Sequence, residues 1–189
     1  NPGFHSRARL QSKLTFGFAW RDYNADVLAR LAQVLKMSQN LTEQTMHASY
    51  ENANIFARIL RGELPCEKVY EDDGALAVMD IAPRSKGHVL VIPKQPSRNL
   101  LDADDSALAA ALSVARKVAN AAMKAFRADG IMLAQFSEAP AGQTVFHLHF
   151  HVIPRYLNEP LKAAEGPMED QAVLASLATQ LRSHLQDAA

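Results

Sequence analysis

The sequence predicts an α+β domain with a mainly antiparallel sheet, and three observations carry that expectation. Short apolar runs follow one another in hairpin succession, separated by turn residues such as Asp73 and Gly74. A single long stretch of helical periodicity interrupts them, whereas a parallel fold would alternate strand and helix throughout. The 189 residues are 48% hydrophobic and 21% charged, the composition of a globular protein. A chain of that length buries roughly 70% of its unfolded surface.

Taken from the N-terminus, residues 1–53 read as an arm. Arg7, Arg9, Lys13 and Arg21 stand there with no acid before position 22, and the apolar stretch from Leu14 to Trp20 is short and interrupted, so a non-core arm is favoured over a targeting leader. Val27, Leu28, Leu31, Val34 and Leu35 recur at helical spacing between Asp22 and Lys36, and the polar stretch from Ser38 to Asn54 reads as a linker. Residues 54–157 form the expected core domain. Ile55, Phe56, Ile59 and Leu60 mark a short helix that stops before Gly62 and Pro65. Strands are expected at Cys66 to Glu71, Ala75 to Asp80 and His88 to Ile92. Asp104 or Asp105 caps a long helix with a stripe of Leu108, Leu112, Ala115, Ala119, Ala122 and Phe126, ending at Asp129 and Gly130. Two more strands follow, Ile131 to Phe136 and Thr144 to Ile153. Residues 158–189 hold a loop and a last amphipathic helix through Leu174, Leu177, Leu181 and Leu185.

Lys plus Arg equals Asp plus Glu at 20 each, so no global field gathers nucleic acid or an anionic membrane surface. No apolar run reaches the ~18 residues of a spanning helix. Cys66 is the only cysteine, which excludes an internal disulfide and a thiolate cage and points to a reducing, cytoplasmic setting.

Chemistry concentrates in the fifth strand. Phe146, His147, Leu148, His149, Phe150, His151 and Val152 alternate strictly, which places His147, His149 and His151 on one face and the apolar residues on the other. Packing accounts poorly for this many histidines on one face. A metal site would use at most two of them with a carboxylate or His88, because the outer pair is spread over ~13 Å along a strand. Nucleophilic catalysis is the third reading: a neutral imidazole attacks phosphorus while its neighbours hold phosphate oxygens or protonate the leaving group. His149, in the middle, is best placed. Gly142, Gln143 and Thr144 just upstream offer backbone freedom and neutral donors for a phosphate.

The segment His147 to Ile153 resembles the signature of the histidine triad (HIT) family. Gly142 to Phe146, Asp80-Ile81-Ala82-Pro83, Gly87 to Lys94 and Ile55-Phe56 with Ile59 fall in the family's order and spacing. The resemblance covers about Asn54 to Tyr156. It implies a HIT-like fold: a five-stranded antiparallel sheet with a long helix and a short N-terminal helix, here with terminal helical extensions, usually as a homodimer. It implies a nucleotide-binding hydrolase that attacks the α-phosphate of nucleoside phosphoramidates or dinucleoside polyphosphates and releases a nucleoside monophosphate, with no cofactor. Carried over by position, His149 is the nucleophile that forms a nucleotidyl-histidine, and His147 and His151 flank the phosphate. Gln143 and Thr144 contact phosphate oxygens, and Asp80 accepts the ribose hydroxyls. Ile55, Phe56, Ile59, Val78 and Ile81 enclose the purine base, and His88 supports the triad.

The departures are informative. Relatives often carry Asn where this chain has Gln135-Phe136-Ser137-Glu138, so Ser137 is the candidate to take over that polar contact. Some bacterial relatives bind a structural zinc through Cys-x-x-Cys and two histidines; Asn54 and Ala57 stand at the thiolate positions here, so no metal is expected. Pro154-Arg155 follows the triad, the form associated with bacterial HIT proteins. Two other readings use the same pocket: a non-catalytic purine nucleotide-binding regulator, and a nucleotidyl transferase or phosphorylase acting through His149.

Overall fold

The computed structural model describes residues 49–163 and 166–186, together with 29, 30, 32–34, 36 and 37. The chain forms two compact units, Asn1–His47 and Ala48–Ala189. In the first unit the described residues are helical and overlap the helix expected from Asp22 to Lys36; the remainder of the expected arm lies outside the described residues up to position 48.

In the second unit, helix α1 spans Ile55–Leu60, capped by Asn54, whose side-chain oxygen accepts from the Ala57 N–H at 2.9 Å. Strands β1 (Lys68–Glu71) and β2 (Ala75–Met79) form a hairpin. Its turn is held by Asp72, whose carboxylate accepts from the N–H groups of Gly74 and Ala75. Strand β3 is Val89–Pro93, helix α2 Asp105–Phe126, strand β4 Gly130–Ala134, strand β5 Phe150–Arg155 and helix α3 Gln171–Gln186. The sheet order is β1-β2-β3-β5-β4, and every neighbouring pair is antiparallel. The α+β architecture is the expected one.

Alternation along the strands splits the core between two faces. Ala75, Ala77, Met79, Val89, Val91, Phe150 and Val152 pack under α2 and α3 in the larger cluster. Leu76, Val78, Leu90 and Ile92 point the other way and are covered by Phe56 of α1. The terminal helix is thus part of the same core, with Leu174, Leu177 and Leu181 buried. Gly87 makes the closest approach: at φ +83 a Cβ there would lie 2.4 Å from the Phe126 ring, so only glycine lets the turn before β3 pass beneath α2.

Two expectations need correction. The stripe on α2 is rotated: Leu112 is exposed, and the buried line is Ala107, Ala111, Val114, Ala115, Val118, Ala121, Ala122 and Phe126. Small side chains let the helix sit low on the sheet, so alanine rather than leucine marks its inner face. Strand β5 starts at Phe150, not Thr144. Before it, the Leu148 N–H is given to the Ser97 carbonyl at 2.8 Å rather than to a ladder partner, and β3 pairs with β5 only from Val89 to Val91. Among the described residues no helix is long and apolar enough to cross a membrane.

Candidate active site

His147 and His149 precede the regular part of β5, and His151 lies within it. All turn toward the α1 side of the sheet. The Phe56 ring stands edge-on to both His147 and His149, with centroids at 6.5 and 4.8 Å, and His149 and His151 are 4.9 Å apart. His147 is 1% exposed and His149 6%.

The partners of each ring assign its protons. Burial holds His149 below the ordinary imidazole value, so the ring is neutral at pH 7. Its Nδ1 lies 2.7 Å from the His147 carbonyl, which only accepts; Nδ1 therefore carries the proton and Nε2 the lone pair. His88 accepts at Nδ1 from the Arg84 N–H at 3.2 Å, so its proton sits on Nε2 and is donated to His151 Nδ1 at 3.0 Å. His151 is left with Nε2–H. Burial, reinforced by neighbouring charges, pushes both His88 and His151 down to about 3, which keeps the pair neutral. Ser97 Oγ is the one fully enclosed side-chain polar atom without a partner among the described residues. The unpartnered Nε2 atoms of His149 and His151 are therefore open to solvent. The site presents a lone pair beside a donor.

Asp80 sits at the end of β2. Its Oδ1 accepts from the Ala82 N–H at 2.9 Å, and Oδ2 is 3.2 Å from His88 Nδ1. Burial raises its carboxyl above the usual value, and the His88 lone pair facing it provides no compensating proton. Phe56, Ile59 and Val78 share the apolar cluster beneath α1, whereas Ile55 and Ile81 are exposed and stand apart from it.

The loop before the triad is braced from within. The Gln143 amide donates to the carbonyls of Arg98 and Val145 and accepts from the Glu138 N–H and Asn99 Nδ2. Only 3% exposed, and with its side chain committed to these four bonds, Gln143 shapes the turn, while Thr144 remains open to solvent. Arg98 forms a two-pronged pair with Glu138, at 2.7 and 2.9 Å, and lies 3.9 Å over the Phe146 ring. Glu138 is held at φ 70 and ψ 159, a region that favours glycine. Ser137 Oγ donates to Gln135, and the Phe136 ring closes on the edge of His151 at 5.3 Å. Arg98, Asn99 and Glu138 escape a reading of the sequence because they lie in loops without periodicity. The pairing of a loop Arg with a loop Glu 40 residues on is visible only in three dimensions.

Asp80, His88 and His151 offer ligand atoms within 4.8 Å of one another. An ion there would have to replace the His88–His151 hydrogen bond, in which the two nitrogens face each other rather than a common point. The family's zinc set does not fit: Asn54 is spent as the cap of α1, Ala57 has no donor, and His147 is bonded at both nitrogens, to Tyr50 and to the Pro93 carbonyl.

Comparison with known proteins agrees with this geometry. The family model described as HIT domain matches residues 61–158. The chain is 39% identical over 136 residues to the adenylylsulfatase HINT3 of Arabidopsis thaliana, covering 72% of this chain and 69% of that protein. It is 40% identical over 101 residues to the adenosine 5′-monophosphoramidase hnt1 of Schizosaccharomyces pombe, 53% of this chain and 73% of that one. The crystal structure of a Hit-like protein involved in cell-cycle regulation from Bartonella henselae superposes with a TM-score of 0.68 at 47% identity, covering 72% of this chain and 99% of that chain. Matched over more than half its length by the family pattern, the chain belongs to the HIT domain family.

Proposed function

We propose that this protein is a nucleotide hydrolase that cleaves an adenosine 5′-phosphate derivative at its α-phosphorus and releases AMP. The observation that carries the reading is the His149 ring. Its Nδ1 proton is fixed on the His147 carbonyl at 2.7 Å, so its Nε2 lone pair is the free nucleophile of a neutral, buried imidazole. Attack forms an Nε2–P bond as the bond from phosphorus to the leaving group breaks, and the electron pair departs with that group. The Nε2–H of His151, set by His88, donates a hydrogen bond to the phosphoryl oxygens and stabilises the charge that builds on them. The His147 carbonyl steadies the positive charge that develops on the His149 ring. Burial disfavours that charge, which makes the histidine a good leaving group when water attacks phosphorus in the second step.

In this reading Asp80 takes the ribose hydroxyls, Thr144 and the turn shaped by Gln143 contact the phosphate, and Phe56, Ile59 and Val78 line the base. The relatives named as an adenylylsulfatase and a monophosphoramidase support a small leaving group, sulfate or an amine. A second copy would pair along β4, an edge strand whose Met132 and Leu133 are exposed, and sedimentation of the full chain reads that state. The test of function is product analysis in the presence of a chelator, with adenosine 5′-phosphoramidate, adenylyl sulfate and diadenosine tetraphosphate in separate reactions. AMP from either of the first two is the expected result. Cleavage of the dinucleotide alone would shift the reading to a polyphosphate hydrolase, and nucleoside diphosphate formed on adding inorganic phosphate would make it a phosphorylase. If AMP binds and none of the three is consumed, the protein is a nucleotide-binding regulator.

A further inference from the structure

Tyr50 belongs to the segment that the sequence assigns to an arm, yet its hydroxyl lies 2.6 Å from His147 Nδ1, and its ring meets the His147 ring edge-on at 5.5 Å. The other nitrogen of that ring, Nε2, is 2.9 Å from the Pro93 carbonyl. A carbonyl only accepts, so Nε2 carries the proton; burial keeps the ring neutral, so Nδ1 is a lone pair and the Tyr50 hydroxyl is its donor. Both nitrogens of His147 are thus consumed inside the protein, and neither remains for a phosphate.

The main chain of the same residue holds the nucleophile, because the His147 carbonyl receives the His149 Nδ1 proton. A ring clamped at both ends fixes the χ angles and the backbone of residue 147, and with them the direction of that carbonyl. We propose that Tyr50 is a positioning residue that acts through His147 to hold His149 in the tautomer and orientation needed for attack. The kinetic part of this proposal rests on the hydrolase reading above; the structural part does not. Phe56 works in the same direction, since its ring lies against both imidazoles. The segment ahead of α1 thereby becomes part of the catalytic architecture rather than a tether.

The test uses the full chain labelled with [15N]histidine. In the unmutated protein, long-range proton–nitrogen spectra are expected to show His147 as the Nε2–H tautomer and His149 as the Nδ1–H tautomer. His147 found with its proton on Nδ1 overturns the proposal without any variant. Tyr50→Phe keeps the ring contact and removes only the hydroxyl. It is expected to disturb the nitrogen signals of both His147 and His149 and to lower kcat about tenfold while KM stays within about twofold, the pattern of an interaction that matters for the transition state rather than for binding. His149 signals unchanged in the variant, or kcat within about twofold of wild type, overturn the proposal. Should the wild-type protein turn over no substrate, the hydrolase reading falls. Tyr50's hold on the His147 and His149 rings is then decided by the nitrogen signals of the same two proteins: signals disturbed in both rings uphold it, and unchanged signals end it.

Discussion

The two faces of the sheet are built by opposite rules. Under α2 and α3 the side chains are apolar, chiefly aliphatic or alanine with Phe126 and Phe150 among them, enclosed on every side, and almost any of them is replaceable by another of like volume. On the other face α1, only six residues long, covers part of the sheet, and the space beside it is filled by imidazoles whose every proton is assigned by a neighbour. A single stretch, β5 and the residue before it, serves both: Phe150 and Val152 anchor the first face, His149 and His151 furnish the second. The contrast teaches that stability and chemistry are separable here residue by residue, and each prediction below tests that separation.

The largest expected effect is on turnover. His149→Ala should lower AMP release by at least about a thousandfold. Nucleotide affinity should stay measurable, because Asp80 and the apolar cluster are untouched. Comparable loss of folding in the same variant, read by urea denaturation, would break the comparison. Leu181→Ala probes the opposite face. Leu181 is fully buried under the sheet, so its truncation should cost about 2–5 kcal/mol of unfolding free energy and leave kcat of the folded protein unchanged. A fall in kcat at a temperature where the variant is fully folded would show the faces to be coupled.

The smallest and most diagnostic effect is that of pH. His88 and His151 titrate near 6.5 when unfolded and at about 3 when folded. The unfolded chain therefore binds more protons below pH 6.5. The stability these residues contribute is complete above that value and is lost progressively as the pH falls through the window toward 3. Going from pH 7 to pH 5 should cost about 2 kcal/mol for each of the two. Over the same interval the His88–His151 pair should add no step to the kcat/KM profile of the folded protein, because those two rings stay neutral. Activity that instead falls with a midpoint near 6.5 would mean that the rings titrate as if exposed.

Much of this was legible in the sequence, for identifiable reasons. A period of 2 through Phe146 to Val152 put the histidines together, Asp73-Gly74 announced the hairpin, and the leucine spacing announced α3. The strand boundary at Phe150 was not legible, because the bonds from Leu148 to Ser97 and from His147 to Pro93 replace a ladder without altering the alternation. The inner face of α2 was misread because alanine is weakly hydrophobic but packs closest. Gln143 was read from its position as a phosphate contact. Its four internal bonds come from Arg98, Asn99, Glu138 and Val145, partners no local pattern connects.

The clamp between Arg98 and Glu138 also constrains how this loop can change over generations. At φ 70 and ψ 159 a glutamate is tolerated because its carboxylate is gripped by Arg98 and Asn99. A lineage that loses Arg98 first inherits a costly backbone whose carboxylate keeps only the Asn99 bond. One that acquires glycine at 138 first relaxes the backbone, and Arg98 then becomes free to drift. The order of the two steps, more than their sum, decides which neighbouring sequences can be reached.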